Sequence, residues 1–316
     1  MTREKPRGHN TELLRRTGPD KEDIVRKATR GAVICVALLL APMVASAAGV
    51  FDNLYVSPRA RAMGGAFVAV SDDETAVFTN PAALADQEGI GLYGSYVDLY
   101  GYDFLDLGSV ALRLPTKYGT IGVGGRILAV EYGGVDLERE TTLAVAHGFT
   151  VMEDIHSSLS LGYAVNLYGL SFGAEDLSGE DLGDATTVGL DVGVYGTLRS
   201  RTSFGFMLKN FNNPKMGEPD AEDLPRWFTA GVAYNPYGGV KTSLELQKQD
   251  TQDLRACFGL EFDIADYLTL RGGIQNQPNR LSVGFGTHWR MVRIDYSYTS
   301  HAELPGSHHF GAGFSF

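Results

Sequence analysis

The sequence predicts an all-β fold: a transmembrane antiparallel β-barrel of about 14 strands, with an N-terminal segment lodged in its lumen as a plug or hatch. Three observations carry this expectation. An export signal stands at the N-terminus, strands with a period of two follow one another from Ile90 onward, and the longest connections between them fall on one side. The domain plan is a signal peptide over 1–47, a hatch segment over 48–89 and a barrel over 90–316.

Arg26, Lys27 and Arg30 precede an apolar run from Ala32 to Leu40, then Pro42 and Ala45-Ser46-Ala47. A basic region, a short apolar stretch and small residues before a cut are the parts of a cleavable signal. The run is too short for a transmembrane helix. Residues 1–30 are long and polar for such a signal, which points to an extended basic region or, the preferred reading, a start codon further downstream, and Arg15-Arg16 lies too far from the apolar run to act with it. Cleavage removes nine of the 27 basic residues and five of the 38 acidic ones, leaving 18 against 33. That acidic balance excludes a nucleic-acid partner. It also removes Cys35, so Cys257 has no disulfide partner within the mature chain.

The 316 residues include 39 glycines, 15 tyrosines and 16 phenylalanines, with 44% hydrophobic and 21% charged residues. A bundle of membrane helices is far more apolar than this. In the strands, large apolar residues alternate with small or polar ones. Leu159, Leu161, Tyr163, Val165 and Leu167 alternate with Ser160, Gly162, Ala164 and Asn166; Leu281, Val283 and Phe285 alternate with Ser282, Gly284 and Gly286. Glycine and serine on one face suit a narrow lumen holding a plug. Tyr93, Tyr96, Tyr118, Tyr132, Tyr168, Trp289 and Phe316 near strand ends suit interfacial girdles.

Strands are expected at 90–99, 106–115, 119–132, 140–150, 157–169, 186–198, 202–210, 226–234, 238–249, 253–262, 268–275, 280–289, 292–300 and 307–316. The longest connections, near 170–185 and 211–225, are the fifth and seventh, whereas even ones such as 199–201 and 290–291 are short. A barrel with both termini on the side of the short turns has this parity; a sandwich does not require it.

Arg59 to Ala85 breaks the period of two. It holds Gly64-Gly65, the acidic cluster Asp72-Asp73-Glu74 and the turn Asn80-Pro81-Ala82. Small residues allow close packing, and the proline biases Asn80 away from helix. This stretch resembles the leading segment of the PorV/PorQ family, within the wider FadL-like group of outer-membrane barrels. Their Ala-Arg-x-x-Gly-Met-Gly-Gly-Ala-like run is similar to Arg61–Ala69 here, with Met63, Gly64 and Gly65. Their Ala-Val-x-Asp-Asp corresponds to the run ending in Asp72 and Asp73, and Asn-Pro-Ala-x-Leu to Asn80, Pro81, Ala82 and Leu84. Ala62 replaces the usual glycine before Met, and Thr79 the usual aromatic, with Phe78 one place earlier.

The resemblance implies two functions. PorV/PorQ proteins act in type IX secretion, binding exported cargo proteins or attaching them at the surface; FadL-like relatives carry hydrophobic small molecules. Acidic outer loops (Glu175, Asp176, Glu180, Asp181, Asp184) with only Met207, Phe211 and Met216 as apolar candidates favour the binding scaffold, with hydrophobic uptake as the alternative. Whether the hatch gates the lumen or only fills it stays open. The expected partners are outer-membrane lipid and the barrel-insertion machinery, which reads a C-terminal signal similar to Phe310, Phe314 and Phe316.

Inward charges of both signs are expected to pair, because unpaired charge in a narrow lumen is costly: Arg126, Asp191, Lys209, Glu245, Glu261, Arg271, Arg293 and Asp295. No catalytic set, metal site or cofactor is expected. His288, Asp295, Ser282 and Ser297 are ordinary inward polar residues, the acidic loop matches no calcium-loop spacing, and Asp72-Asp73-Glu74 reads as a cap on a short helical turn. His301, His308 and His309 lie around the last long loop.

Overall fold

In the computed structural model, residues 51, 55–173, 183–217, 221–250 and 252–316 are described. The predicted signal peptide and most of the acidic loop, including Glu175, Asp176, Glu180 and Asp181, lie outside these residues.

The first seven strands are β1 (Gly91–Asp98), β2 (Leu105–Thr116), β3 (Gly119–Tyr132), β4 (Val135–Asp154), β5 (Ser157–Ser171), β6 (Asp184–Leu198) and β7 (Thr202–Lys209). Two-residue strands β8 (Lys215–Met216) and β9 (Glu222–Asp223) pair with each other in the following loop. The barrel resumes with β10 (Trp227–Tyr237), β11 (Val240–Gln249), β12 (Arg255–Ala265), β13 (Leu268–Gln275), β14 (Arg280–Trp289), β15 (Val292–Thr299) and β16 (Ser307–Ser315). Apart from β8 and β9, these form one closed antiparallel barrel of 14 strands, each beside its neighbours in chain order. β1 closes against β16, from Gly91 opposite Ser315 to Asp98 opposite His308. Closure leaves no sheet edge, which is what a lipid environment demands of strands.

The expected strands and the expected parity are both present. Every even connection is a tight turn, such as 117–118, 155–156, 199–201 and 238–239; the odd ones include 99–104, 172–183, 210–226 and 300–306. The two ends of the barrel are therefore a turn end, where β1 begins and β16 stops, and a long-loop end.

Alternation sets the two faces. Leu143, Val145, Tyr163, Val165, Val283 and Phe285 lie outward and exposed, while Ala144, Ala146, Ala164, Asn166 and Ser282 are buried on the inner face. Phe310, Phe314 and Phe316 share the outward face of β16 and its end. Two of the aromatic positions assigned to girdles are instead interior. Tyr93 and Tyr168 are each 1% exposed, because each falls on the inward parity of its strand. Their hydroxyls donate to Asp295 (3.1 Å) and to Asn210 (3.0 Å).

β7 stops while β6 continues beyond it, and the loop after β7 covers that edge. Phe211 N–H donates to Leu190 O (2.9 Å), and Asn212 exchanges side-chain bonds with Leu190 N–H and Val188 O (2.8 Å each). Side-chain amides thus complete a ladder that has lost its partner strand.

Candidate functional site

The segment before β1 lies in the lumen, and its local structure follows from its sequence. Helix α1 (Pro58–Ala62) starts with proline at its first position and Ser57 as N-cap, whose Oγ accepts from Ala60 N–H (3.4 Å). Gly64 (φ +65°) and Gly65 (φ +85°) turn the chain in left-handed conformations. Gly64 also lies against the wall: a Cβ there would stand 2.7 Å from Ile274 N and 2.8 Å from Ile274 O. Helix α2 (Ala76–Thr79) and a 3-10 helix (Pro81–Asp86) follow. Asn80, between them, acts as a clasp. Its Oδ1 accepts from Ala82 N–H (3.2 Å), while Nδ2 donates to Val68 O (3.0 Å) and to Val194 O of β6 (3.1 Å).

Inward glycines make room for this segment. A side chain at Gly162 would strike Pro81 and Ala82, one at Gly148 would strike Pro81 and Ala85, and one at Gly259 or Gly273 would strike Met63. Gly205 and Gly231 lie under Val68, and Gly122 under Leu84 and Val77. The seat is an alanine-scale surface, in which Ala82, Ala83 and Leu84 pack on Ala111, Ala144, Ala146 and Ala164.

Toward the turn end the segment is tied to the wall by alternating charge. Lys241 meets Asp72 (2.8 Å); Asp72 meets Arg59; Arg59 meets Glu261 (2.8 Å); Glu261 meets Arg271 (2.7 Å); Arg271 meets Asp295 (2.7 Å). The series continues from Asp295 to Arg293 (3.1 Å), to Glu74 (3.0 Å) and to Arg113 (3.4 Å), with Asp73 beside Arg59 and Arg293. Gln87 ends it, accepting from Arg113 Nη1 (2.5 Å) and donating Nε2 to the carbonyls of Ser71, Asp73 and Ala83. Five cations and five carboxylates share this chain. Partial loss of water around the Asp72 carboxyl raises the cost of its charge, but Arg59 and then Lys241 outweigh it and hold the carboxyl well below the usual range.

The remaining inward charges form separate arrangements. Glu245 has no cation at salt-bridge distance among the described residues. It accepts instead from Phe67 N–H and Val68 N–H (2.6 Å each), from Gln247 Nε2 (2.6 Å) and from Tyr55 Oη (3.4 Å). The expected ion pair is replaced because the chain after Gly65 aims two backbone donors at this carboxylate. Asp191 accepts from Asn210 N–H (2.8 Å) and Asn166 Nδ2 (2.7 Å), with Lys209 as its neighbouring cation. Arg126 Nη2 donates to Thr142 Oγ1 (3.4 Å) on the adjacent strand.

Arg61 differs from all of these. It is 6% exposed, forms no salt bridge among the described residues, and its Nε has no hydrogen-bond partner. Its guanidinium lies over the Tyr55 ring, 5.1 Å from the centroid. A desolvated cation–π contact offsets about 2 kcal/mol, whereas taking a single charge out of water costs several kcal/mol. Burial, then the Arg280 guanidinium and that of Arg255, push the Arg61 pKa down to about 10, so it remains charged at neutral pH.

Three groups of polar residues named from the sequence are placed separately. His288 is exposed at the end of β14, while Asp295 is held by Arg271, Arg293 and Tyr93 and Ser282 by Thr299 (3.0 Å), so no triad forms. His301 Nδ1 accepts from Glu303 and Leu304 N–H, His308 bonds Tyr296 Oη, and His309 faces inward, so the histidines do not converge. In the acidic cluster only Asp73 acts locally as a cap, accepting from Thr75 N–H (3.0 Å); Asp72 and Glu74 bind the wall. Arg59, Glu74, Arg113 and Gln87 were missed, although inward parity alone places Arg113, two residues after Ala111.

Two spaces open in the barrel, one against the segment and one at the turn end. A cavity of about 20 Å³ lies between it and β7, β10 and β11, lined by Tyr55, Phe67, Phe78, Met207, Trp227 and Glu245 among others. A cleft of about 370 Å³ opens at the turn end beside Arg201, Tyr237, Lys241, Glu261 and Asp263. At the long-loop end Phe51, Tyr168, Leu170, Met216 and Leu224 form an apolar cluster. Phe211, by contrast, is exposed.

Solved structures of FadL-like outer-membrane channels share the fold of this closed 14-strand barrel. The CymD monoaromatic hydrocarbon channel superposes with a TM-score of 0.60 at 14% identity, over 84% of this chain and 99% of that one. The toluene transporter TbuX of Ralstonia pickettii gives 0.57 at 13%, over 84% and 100%, and a FadL homologue of Pseudomonas aeruginosa gives 0.53 at 12%, over 80% and 97%. No protein-family model matches the chain, and no curated protein matches it significantly.

Proposed function

We propose that this chain is an outer-membrane channel for small hydrophobic molecules, exported by a cleavable signal over 1–47, with residues 55–89 as a hatch that holds the lumen closed. One observation carries the reading. Between hatch and wall there is a space lined largely by aromatic and aliphatic side chains (Tyr55, Phe67, Phe78, Met207, Trp227). At about 20 Å³ it is the size of one water, so passage requires the hatch to shift. Two fold neighbours are described as a monoaromatic hydrocarbon channel and a toluene transporter, which supports a ligand of this class.

The lumen contacts define the test. Purified protein in liposomes is expected to admit toluene faster than protein-free vesicles do, with negligible ion conductance. Deleting Met63–Ala85 is expected to leave an insertable barrel with steady, large conductance. Toluene entry equal to that of empty vesicles defeats the transport reading, and unchanged conductance of the deletion defeats the hatch.

The segment's resemblance to PorV/PorQ proteins supports a second reading, a scaffold for exported proteins in a lumen that never opens. Extraction from native membranes in mild detergent separates the two. A stoichiometric exported protein without an enriched apolar ligand supports the scaffold; a retained hydrophobe without a protein partner supports the channel.

A further inference from the structure

Arg61 sits on α1, which packs against β13–β16. The inward side chains near it on those strands are polar and carry no acid: Gln275, Ser282, Ser297, Thr299, Ser307 and His309, all buried. Besides Arg61 Nε, two of their polar atoms have no hydrogen-bond partner, Ser297 Oγ and His309 Nδ1. Ser297 and His309 are directly opposite in the β15–β16 register, so their inward side chains are neighbours. A Cβ at Gly284 would stand 2.7 Å from Ala62 Cβ and 3.0 Å from Ser297 Cβ, so the end of α1 that carries Arg61 lies against this pair.

From this geometry we propose that Arg61, Ser297 and His309 form a binding site for a small oxyanion, carboxylate or phosphate, inside the lumen. An oxyanion accepts from a guanidinium, a hydroxyl and an imidazole N–H together, and such charge-assisted bonds are the strong ones. It also supplies the negative charge that Arg61 lacks among the described residues, while Arg280 and Arg255 act on it as cations. Every carboxylate of the chain toward the turn end is already engaged by a cation, and Glu245 by backbone donors, so no described acid is available to turn toward Arg61. A buried donor set of this kind is costly to maintain without an acceptor. The assignment does not depend on transport, because binding is read on protein in detergent.

The test compares ligands of one shape and different charge. Benzoate, toluene and inorganic phosphate are titrated by calorimetry into the purified full-length protein. Benzoate saturating where toluene does not, or phosphate saturating, supports the site; phosphate alone identifies a free anion, and benzoate alone the charged group of a larger passenger. Arg61→Gln is expected to weaken the binding anion roughly tenfold or more, the factor that loss of one charge-assisted bond implies. Ser297→Ala and His309→Gln report on the wall should Arg61→Gln fail to insert, and Arg139→Gln, in an exposed pair with Asp136, serves as the control. Binding of neither anion, equal binding of benzoate and toluene without phosphate binding, or unchanged affinity in all three site variants overturns the proposal.

Discussion

The two ends of the lumen hold charge in opposite ways. Toward the turn end, five cations and four carboxylates alternate from Lys241 to Arg113, with Asp73 as a fifth carboxylate beside them. Along β13–β16, Arg61 stands among polar side chains without an acid, with a ring face as its contact and the cations Arg280 and Arg255 acting on it. A buried charge gains enough to offset its desolvation only when its partners are close and well aimed. The first arrangement meets that condition internally, and it ties the segment before β1 to the barrel wall. Among the described residues the second does not, and the oxyanion proposed above completes it. The same α1 carries both, since Arg59 faces the ion chain and Arg61, two residues on, faces the polar sector.

The comparison breaks most severely at Arg271, which bridges Glu261 and Asp295 at 2.7 Å each, where Asp73 joins Arg59 and Arg293 only at 3.7 and 3.9 Å. Arg271→Gln leaves two nearly buried carboxylates short of a cation. The expected cost is about 3–5 kcal/mol, read as a lower temperature for the mobility shift between folded and heat-denatured barrel on gels. A shift as small as that of an exposed pair would show that the chain of charges does not act as a unit.

Asn80→Ala is expected to cost less, about 2–3 kcal/mol, from one cap and two buried hydrogen bonds. Its effect should fall on the hatch rather than the barrel. Conductance bursts, or faster proteolysis between 63 and 85, are expected with an unchanged barrel melting temperature. Equal loss from both would mean that hatch and wall unfold together.

These interactions differ in how far the sequence disclosed them. Strand positions and loop parity were legible because a period of two and turn length are local properties, and 280–289 and 268–275 coincide with the observed β14 and β13. Inward charge was legible by the same parity, as at Glu261 and Asp295. Its pairing was not, because Arg59 and Glu261 are 202 residues apart and meet only once the barrel closes. Glu245 shows the limit most clearly, since its partners are backbone N–H groups that no residue type announces. Tyr93 and Tyr168 were misplaced by giving position near a strand end precedence over parity.

The smallest expected effect sharpens the contrast between buried and exposed members of the ion chain. Asp72 is 41% exposed, and its bridge to Lys241 borders the cleft at the turn end. Lys241→Gln is therefore expected to cost under about 1 kcal/mol, as exposed pairs do. Asp72 also gives the acid response a sign. Its folded pKa lies below the unfolded one, so its contribution is complete at neutral pH and is lost as pH falls through the ordinary carboxylate range and beyond. Asp72→Asn is thus expected to flatten the acid limb of stability against pH, while neutral stability falls only modestly. A limb that steepens would mean that Asp72 is protonated in the folded state, and that Arg59 relies on Glu261 alone.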